Sequence, residues 1–594
     1  MVREEYRKLR LARKKYVDLQ IRKLKDKLKT SKKSDAFHKI VRQRLTKIME
    51  QIKAGELQSE DVLNAFQLQA LEVHERTNCL VEPVLTNEKT SHVEPDSPRL
   101  LNGIPVSIKD DIGIKGFVSS TGASKFLNSK CQEDSTLVKV LRRQGAVIFA
   151  RTNEPQLGLS AEAGNPVYGP VKNPHDLTRN PGGSSSGEGA LVGGGGSLLG
   201  FGSDIGGSIR IPAHNCGCCG FKPTSERISH RGNKVLGMGE SAVPVTWGPL
   251  ARDVDSLVLA MRALWDGSMT EFDPLCPPLK FQNNLFEDSK KLKIGYFKDN
   301  GYFAPTPVCE RAVDMAVQEL RNQGHEVTEW CPPNAADVDL VESQVLMADG
   351  GAEIVNIMAG DEIDPTMKTI MMALKTPQIF KPMLPMLARW TMGPKDGEVA
   401  KTFNGCKNVA EYWNLQKQIK EYQYKVIEEW QRQGFDAVIS PPMPYPALKS
   451  GNPDLSTRGT GYMMLYNVLN FPAGVVRMTK QTEEDIKKLK KYNIRDRFHE
   501  DVRQMLQDGI GLPAGVMVAS LRWQDEKCLR VMKAVEKAAD YEVEVMDSAQ
   551  IKEEVSIVIE DHGVMECTME KTRPNSKIHV EQKESTECHI FNGC

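Results

Sequence analysis

The sequence predicts an α/β fold in which helices cover one large sheet. Short apolar runs typical of strands alternate with amphipathic helical patterns, and this alternation indicates a substantially parallel sheet. The chain has 594 residues, 40% of them hydrophobic, which is enough apolar material for a large core. A Gly/Ser-rich stretch at 182–213 interrupts the alternation, and it is the first candidate for a functional site.

The predicted elements follow one another from residue 56 onward. Residues 59–76 have apolar side chains at helical spacing behind Ser59, which suits an N-cap. An apolar run predicts a short strand at 106–109, and 134–145 predicts a helix that ends in glycine before a strand at 146–150. The pattern repeats further along, with strands near 292–296, 326–328 and 437–440 and a helix at 308–321.

The first fifty residues differ from the rest of the chain in charge. They contain 18 Lys and Arg against 6 Asp and Glu, whereas the formal net charge of the whole chain is zero. Leu9, Tyr16, Leu24 and Leu28 recur near helical spacing, so we expect a basic helical segment over 1–55. Such a helix suits an anionic lipid surface, and equally a solvated helix or an interaction arm. The zero net charge gives no argument for a nucleic-acid partner.

Several classes of protein are disfavoured by the sequence. No apolar run of 18 residues predicts a membrane-spanning helix, and the N-terminus has no apolar stretch typical of a signal peptide. The thirteen cysteines lack the spacing of a disulfide framework, which indicates an intracellular protein rather than a secreted one. Cys216, Cys218 and Cys219 lie near His214 without paired-ligand spacing, so we interpret them as packing residues and expect neither metal nor cofactor.

The stretch 182–213 carries the candidate chemistry. Glycines let backbone N–H groups approach a substrate and bind an anion or an oxyanion, and a serine hydroxyl can act as nucleophile or proton relay. A flexible linker is the alternative, but core-type residues at 190–192 and 198–199 interrupt the glycines. The spacing excludes dinucleotide-binding and P-loop motifs. Residues 183–187 match a G-x-S-x-G elbow around Ser185, a pattern short enough to arise by chance here.

A longer pattern in this stretch resembles the amidase signature. It consists of Gly182, Gly183, Ser184, Ser185, Ser186, Gly187, Gly193, Gly200, Gly202, Asp204, Gly206, Ser208, Arg210 and Pro212. Upstream, the segment LNGIPVSIKD at 101–110 resembles the family's second motif. The resemblance implies a large, mixed, twisted sheet wrapped by helices and a Ser-Ser-Lys hydrolase with Ser208 as nucleophile, Ser184 as relay and Lys109 as base.

The implied mechanism is an acyl transfer. Ser208 attacks an amide carbonyl while Lys109, acting through Ser184, takes its proton and later returns it to the leaving nitrogen. Lys109 must then be neutral, so we expect burial without a carboxylate partner to lower its pKa, with Asp110 and Asp111 pointing elsewhere. The resemblance places the oxyanion site at the backbone N–H groups of Ile205, Gly206, Gly207 and Ser208, and gives supporting roles to Ser185, Asp204 and Arg210.

Further segments are similar to the fatty acid amide hydrolases of this family. They lie at 215–224, 465–476, 511–515 and 521–530. The resemblance covers about 50–540 and implies a catalytic domain over 56–545. It implies hydrolysis of N-acylethanolamines such as anandamide, and of primary amides such as oleamide, to free fatty acid and amine, as in endocannabinoid and lipid degradation. It also implies a homodimer.

A stretch at 369–392 is rich in apolar residues, broken by prolines and accompanied by Lys375, Lys381 and Arg389. It predicts two short helices that form a monotopic membrane cap, with two core helices as the alternative. We therefore expect a peripheral or monotopic protein on an endomembrane such as the endoplasmic reticulum. The family's acyl channel has a Met-Phe-Ser-Tyr stretch where this chain has Gly-Leu-Ser-Ala at 158–161. By that correspondence Leu159 is a channel residue, and the resemblance places Tyr302, Ile354 and Met463 at other channel positions.

Two other functions stay open on the sequence. The same chemistry would serve an amidase for small amides or the glutaminase subunit of a tRNA-dependent amidotransferase. A catalytically silent membrane or scaffold protein is the second alternative. The charged tail at 546–594 is consistent with disorder, and its apolar run at 555–559 with an added edge strand.

Overall fold

An eleven-stranded mixed sheet forms the centre of the protein. The computed structural model describes residues 2–29, 34–85, 99–237, 239–377, 379–543 and 545. The tail 546–594, with its possible strand at 555–559, lies outside the described residues. Within the described ranges the strands are β1 (Leu80–Pro83), β2 (Pro105–Lys109), β3 (Val147–Thr152), β4 (Leu199–Asp204), β5 (Cys219–Lys222), β6 (Thr246–Ala251), β7 (Lys293–Tyr296), β8 (Glu326–Glu329), β9 (Ala437–Ser440), β10 (Ala473–Lys480) and β11 (Pro513–Ala519).

The strand order in this sheet is β1-β3-β2-β4-β6-β5-β10-β11-β9-β7-β8. Strands β3, β2 and β4 run parallel to one another near one end, as do β9, β7 and β8 at the other. The strands between them pair antiparallel, and so does the edge pair of β1 and β3. The expected parallel pairing is therefore present near both ends of a sheet that is mixed as a whole.

Helices surround the sheet. Among the described residues they are α1 (Val2–Lys29), α2 (Ser34–Val41), α3 (Leu45–Lys53), α4 (Ser59–Thr77), α5 (Thr136–Arg143), α6 (Ser186–Gly193), α7 (Arg210–Asn215), α8 (Val254–Leu264), α9 (Ser268–Phe272), α10 (Asn283–Phe286), α11 (Pro307–Asn322), α12 (Val338–Leu346), α13 (Ala352–Ile357), α14 (Lys368–Lys375), α15 (Leu384–Thr391), α16 (Pro394–Thr402), α17 (Val409–Gln433), α18 (Pro453–Ser456), α19 (Gly461–Val468), α20 (Glu483–Leu489), α21 (Arg497–Met505) and α22 (Asp525–Glu536). Strands β2, β4, β6, β9 and β11 are buried along their whole length, so both faces of the sheet are covered.

The elements expected from the sequence agree with the observed ones to within about two residues at most ends. The start of α4 differs from the prediction. Its N-cap is Gln58 and not Ser59, and the Gln58 side chain makes no capping hydrogen bond. The predicted N-terminal cap of α5 is present. Ser135 is the N-cap, and its hydroxyl accepts a hydrogen bond from the Val138 N–H. The Gly/Ser-rich stretch is ordered and contains α6, β4 and α7.

The basic helix α1 packs on the rest of the protein. Leu24 and Leu28 lie against Leu71 of α4, which buries one side of the helix. The Arg13 guanidinium is buried and lies 2.7 Å from the Glu82 carboxylate, while Arg10 lies 3.0 Å from Asp361. At least part of the positive charge of α1 is thus neutralised within the protein.

Candidate active site

The parallel strands β2 and β4 bring the candidate residues together. Ser107 of β2 pairs with Gly200 of β4 and Ile108 pairs with Phe201, so both strands end at the same edge of the sheet. Lys109 is the last residue of β2, and Ser203 is the penultimate residue of β4. The site is therefore built at the carboxyl ends of two neighbouring parallel strands, the usual position for sites in open α/β sheets.

Lys109 contacts Ser184 directly. Its side-chain ammonium Nζ donates a hydrogen bond of 2.7 Å to Ser184 Oγ, and both residues are almost fully buried. Ser184 follows a cis peptide bond from Gly183 and lies two residues before α6. The structure thus places the expected base and the expected relay serine in hydrogen-bond contact, although 75 residues separate them in the chain.

Two carboxylates also lie next to Lys109. Its Nζ is 3.3 Å from Asp111 Oδ2 and 3.3 Å from Glu154 Oε2. Burial alone would lower the pKa of Lys109, but these two negative charges outweigh it and hold the pKa above the ordinary lysine value. The prediction that Asp111 points away from Lys109 and that Lys109 has a lowered pKa is therefore wrong. The chain turns after β2, so Asp111 returns towards the lysine.

Asp110 has a different environment, as expected. Its Oδ2 accepts hydrogen bonds from the Ser120 and Thr121 backbone N–H groups, and its Oδ1 lies 2.7 Å from the Arg151 guanidinium. Arg151 in turn pairs with Glu82 at 3.0 Å. Asp110 is thus neutralised by Arg151 and anchors the loop after β2.

The loop that carries Ser208 is fixed by Asp204 and Arg210. The Arg210 guanidinium donates two hydrogen bonds of 2.9 Å to the two oxygens of Asp204, and both side chains are fully buried. Although burial opposes its ionisation, the Arg210 charge holds the pKa of Asp204 well below its usual range. Asp204 also accepts hydrogen bonds from the backbone N–H groups of Gly207 and Ile209, at 2.8 and 3.1 Å. The ion pair therefore closes the loop on both sides of Ser208.

Ser185 connects the two serine-bearing segments. Its backbone N–H donates a 3.0 Å hydrogen bond to the Ser208 carbonyl, and its hydroxyl donates to the Ser203 carbonyl at 3.2 Å. Ser185 thus ties the strand end and the Ser208 loop to the start of α6.

The four predicted oxyanion residues have different surroundings, and Gly206 lies next to Glu342 of α12. Ile205 and Ser208 line the cavity described below, together with Lys109 and Ser184. The Gly207 N–H donates to Asp204, so it is already engaged in this structure. Gly207 has a φ of 111°, a conformation that glycine adopts without strain, and this lets the loop turn between the strand and Ser208.

A cavity of about 790 Å³ opens at these residues. Its apolar wall is formed by Phe126, Leu157, Leu159, Val345, Leu346, Met347, Ile354 and Ile357. Two of the four expected channel residues, Leu159 and Ile354, are among them. Tyr302 lies outside this lining, where its hydroxyl accepts a 2.9 Å hydrogen bond from Arg458 and its ring faces the Lys395 ammonium. Met463 is fully buried beside Gly207, behind the loop that carries Ser208.

The stretch 369–392 forms the two short helices α14 and α15. On α14, Met371 and Leu374 pack with Ile354 of the cavity wall, while Met372 on the same helix is 72% exposed. Helix α15 has no buried residue, which disfavours the core alternative, and Trp390 on it is 85% exposed. The other exposed apolar side chains in this stretch are Ile379, Phe380, Met383, Met386 and Leu387. This set, together with Met372 and Trp390, is called the apolar surface below.

The basic residues of that stretch have different roles. Lys375 is exposed at the end of α14. Lys381 is buried and donates to the Phe403 carbonyl at 3.1 Å, and Arg389 pairs with Glu398 at 2.8 Å. Lys381 therefore does not serve as a free basic flank. Within the described part of the chain, no helix has both the length and the apolarity needed to cross a membrane.

Sequence reasoning missed two members of the site, Ser203 and Glu154. Ser203 Oγ lies 2.8 Å from Lys109 Nζ and donates to Asp111, and Glu154 follows the end of β3, the strand paired with β2 on the other side. Both residues lie at or just after the carboxyl ends of the strands next to β2, which brings them near Lys109. Only the strand order identifies those neighbours, and the sequence pattern does not specify it.

Comparisons with known proteins identify the family of the chain. The family model described as Amidase matches residues 61–529. The chain is 36% identical over 496 residues to "Fatty-acid amide hydrolase 1" of Sus scrofa, covering 83% of this chain and 85% of the relative. It is 31% identical over 501 residues to "Fatty acid amide hydrolase 1" of Caenorhabditis elegans, covering 83% and 87%.

A solved structure of "Fatty acid amide hydrolase" superimposes with a TM-score of 0.73 at 26% identity, covering 91% of this chain and 95% of that chain. The mixed sheet, the Lys109–Ser184 contact and these similarities lead to the same conclusion. The protein is an enzyme of the amidase signature family, close to the fatty acid amide hydrolases.

Proposed function

We propose that the protein hydrolyses long-chain fatty acid amides, such as N-acylethanolamines and primary fatty amides, through an acyl-enzyme on Ser208. This proposal rests on the position of the hydrogen bond between Lys109 and Ser184. Both residues line a cavity whose remaining wall is largely apolar. The cavity volume is in the range of pockets that enclose most of a drug-sized ligand. An acyl chain on the apolar wall would present its amide carbonyl to Ser208.

In the proposed reaction Ser208 attacks the carbonyl carbon while its proton passes through Ser184 towards Lys109. The backbone N–H groups of Ile205, Gly206 and Ser208 stabilise the oxyanion, each well-placed donor contributing about 3 kcal/mol. The proton then moves to the leaving nitrogen, the amine departs, and water releases the fatty acid from Ser208.

We further propose that the protein takes its substrate from a membrane surface. The apolar surface at 369–392 supports this, because α14 packs on the cavity wall with one side and exposes Met372 on the other. Exposed aromatic and apolar side chains of this kind insert into the boundary between headgroups and acyl chains. A homodimer remains part of the proposal by similarity to the family.

The test is release of ethanolamine from an N-acylethanolamine in liposomes by the full chain, with Ser208→Ala and Lys109→Met as variants. We expect the serine variant to lose activity and the lysine variant to lose at least about 100-fold in kcat/KM, the usual lower range for general acid–base catalysis. Glutamine and acetamide serve as competing substrates. Turnover of these, with none of the fatty amide, would favour the small-amide or amidotransferase function.

A further inference from the structure

The contacts of Lys109 raise the question of where the serine proton is held. A lysine accepts a proton only when it is neutral, yet Lys109 lies 3.3 Å from each of two carboxylates, those of Asp111 and Glu154. All three side chains are at most 3% exposed, so their charges interact with little screening by solvent. Their charges favour the ammonium form of Lys109.

The two carboxylates differ in how well their negative charge is stabilised. Asp111 Oδ2 accepts a hydrogen bond from the Ser203 hydroxyl in addition to its contact with Lys109. Each carboxylate has one oxygen, Asp111 Oδ1 and Glu154 Oε1, without a hydrogen-bond partner among the described residues. The Glu154 carboxylate therefore lacks the second donor that Ser203 gives Asp111, and its polar partner in the described chain is Lys109. With fewer hydrogen-bond donors on its negative charge, Glu154 is the candidate proton acceptor. Burial raises the pKa of Glu154 well above its usual range.

Glu154 is also close to the relay serine. Gly158 of the cavity wall lies next to both residues. An ideal Cβ position on Gly158 is 3.5 Å from Ser184 Oγ and 3.6 Å from Glu154 Oε2, so the two oxygens face the same point of the wall. Two other carboxyl groups near this cluster, those of Asp110 and Glu188, have partners of their own. Asp110 is paired with Arg151, and Glu188 accepts hydrogen bonds from Ser107 and Thr152. Burial raises the pKa of Glu188 to about 8, although these two hydrogen bonds oppose the shift.

Building on the proposed role of Lys109 in amide hydrolysis, we propose that Glu154 acts through Lys109 as the terminal acceptor of the Ser208 proton. The O–H bond of Ser208 breaks as its proton passes to Ser184. Lys109 releases one of its N–H protons to the Glu154 carboxylate, and its freed electron pair takes the Ser184 proton in the same concerted step. Lys109 is an ammonium before and after these transfers, and Glu154 becomes a carboxylic acid. When the tetrahedral intermediate collapses, the proton returns along the same path to the leaving nitrogen.

The variant Glu154→Gln distinguishes two mechanisms, one with Glu154 as the final proton acceptor and one with neutral Lys109 in that role. If Lys109 were the final base, removal of a neighbouring negative charge would lower its pKa, and activity near pH 7 would be kept or raised. With Glu154 as the acceptor, the same variant loses activity by about 100-fold near pH 7. Its rate then recovers only at alkaline pH, where Lys109 itself loses a proton.

The experiment measures the rate at which a serine-directed fluorophosphonate labels Ser208 in the full chain from pH 5 to pH 10. This readout needs no fatty amide, so it is independent of the proposed substrate. We expect the wild-type rate to rise with ionisation of a carboxyl group, Glu154→Gln to lose that rise, and Glu154→Asp to recover part of it. An unchanged or faster rate in Glu154→Gln at pH 7 overturns the role of Glu154.

Glu162→Gln is the matched control for loss of a buried carboxyl group. The Glu162 carboxylate accepts hydrogen bonds from the Gly451 and Asn452 N–H groups and the Ser456 hydroxyl, away from Lys109. We expect its labelling profile to follow the wild type. A tenfold or larger loss in this control, matching that of Glu154→Gln, would overturn the specific role of Glu154. Absence of labelling in the folded wild type would overturn both the role of Glu154 and the proposed serine chemistry. Labelling of Ser208 without turnover of a fatty amide would contradict only the proposed substrate class.

Discussion

Ser203 places its hydroxyl oxygen 2.8 Å from the Lys109 ammonium while donating its own hydrogen bond to Asp111. The hydroxyl therefore joins the lysine to one of its two carboxylates from the end of the neighbouring strand β4. With Ser184 on another side of the same ammonium, Lys109 has hydrogen-bond acceptors in two fixed directions. This arrangement fixes the side chain so that it faces the relay serine.

We predict that Ser203→Ala lowers kcat/KM by about 10- to 100-fold, because a hydrogen bond to a charged group contributes about 1.5 to 3 kcal/mol. The loss should occur with little change in KM, since Ser203 holds the lysine rather than the acyl chain. Steady-state kinetics on a fatty amide measures both constants. Ser203→Thr keeps the hydroxyl and is the control, and equal losses in the two variants would show that the hydroxyl is not what matters.

The amino-acid sequence was sufficient to predict much of the site. Lys109, Ser184 and Ser208 are found from two motifs, and the short strand ending at Lys109 is evident from its apolar residues. The position of Glu154 could not be predicted in this way, because it depends on which strand lies beside β2. That pairing joins residues 42 or 43 positions apart in the chain, and hydrophobic pattern does not specify strand order.

The orientation of Asp111 was mispredicted for a related reason. A catalytic lysine that works as a neutral base should have no carboxylate nearby, so the expectation followed from the assumed chemistry and not from the chain. The backbone after β2 is a turn, where the alternation of side-chain directions in a strand no longer holds. The antiparallel centre of the sheet was likewise outside the reach of the helix and strand pattern.

The cavity wall leads to a second prediction, on Leu159. Leu159→Trp adds bulk to the apolar wall, so we expect kcat/KM to fall by about tenfold or more for a C18 amide and to change little for a C8 amide. Chain-length series of N-acylethanolamines provide the measurement. Tyr302→Phe is the control, because Tyr302 lies outside the cavity lining and should leave the chain-length preference unchanged.

The apolar surface leads to a third prediction, on membrane binding. Replacing both Met386 and Trp390 by glutamate removes two exposed apolar side chains and adds two negative charges. Burial of the Trp390 side chain in the membrane contributes about 2 kcal/mol to the binding free energy. Loss of this contribution alone weakens the affinity for liposomes by about 30-fold. Liposome co-sedimentation measures the affinity, and activity on a soluble short-chain amide should be kept.

The control for that experiment is Leu275→Glu, which changes an isolated, 92% exposed leucine outside 369–392. We expect its liposome affinity to equal that of the wild type. Equal binding by the double variant and the wild type would mean that another surface contacts the membrane.

A fourth prediction concerns the basic helix α1. The variant Arg13→Met removes the buried partner of Glu82, which keeps Arg151 as its remaining partner. Removing one member of a buried ion pair typically costs about 3 to 5 kcal/mol, and we expect the lower end because Glu82 stays paired. Chemical denaturation measures the change. The control is Arg7→Met, which breaks only the exposed pair with Glu4 and should leave the free energy of unfolding unchanged. A similar loss of stability in both variants would contradict a special role for Arg13.

The last prediction concerns Glu342, a fully buried residue of α12. Neither of its carboxyl oxygens has a hydrogen-bond partner among the described residues, and Oε1 lies close to Gly206 of the Ser208 loop. Burial raises the pKa of Glu342 well above its usual range, and the negative charge of Asp204 acts in the same direction although Arg210 opposes it. A carboxyl group left without partners in this way destabilises the folded state by about 1 to 3 kcal/mol.

Because the pKa of Glu342 is higher in the folded state than in the unfolded state, the folded protein binds more protons between those two values. The stability of the wild type must then fall as the pH rises through that interval. Glu342→Met has a similar shape and no ionisable group, so we expect its free energy of unfolding to exceed that of the wild type at pH 7, with a gap that is larger at pH 9 than at pH 5. Urea denaturation at the three pH values measures the gap. The exposed Glu428→Met is the control for loss of a surface carboxyl group, and we expect its free energy of unfolding at pH 7 to stay within about 0.5 kcal/mol of the wild type. A Glu342→Met variant that is less stable at every pH would mean that the Glu342 carboxyl group makes a favourable contact.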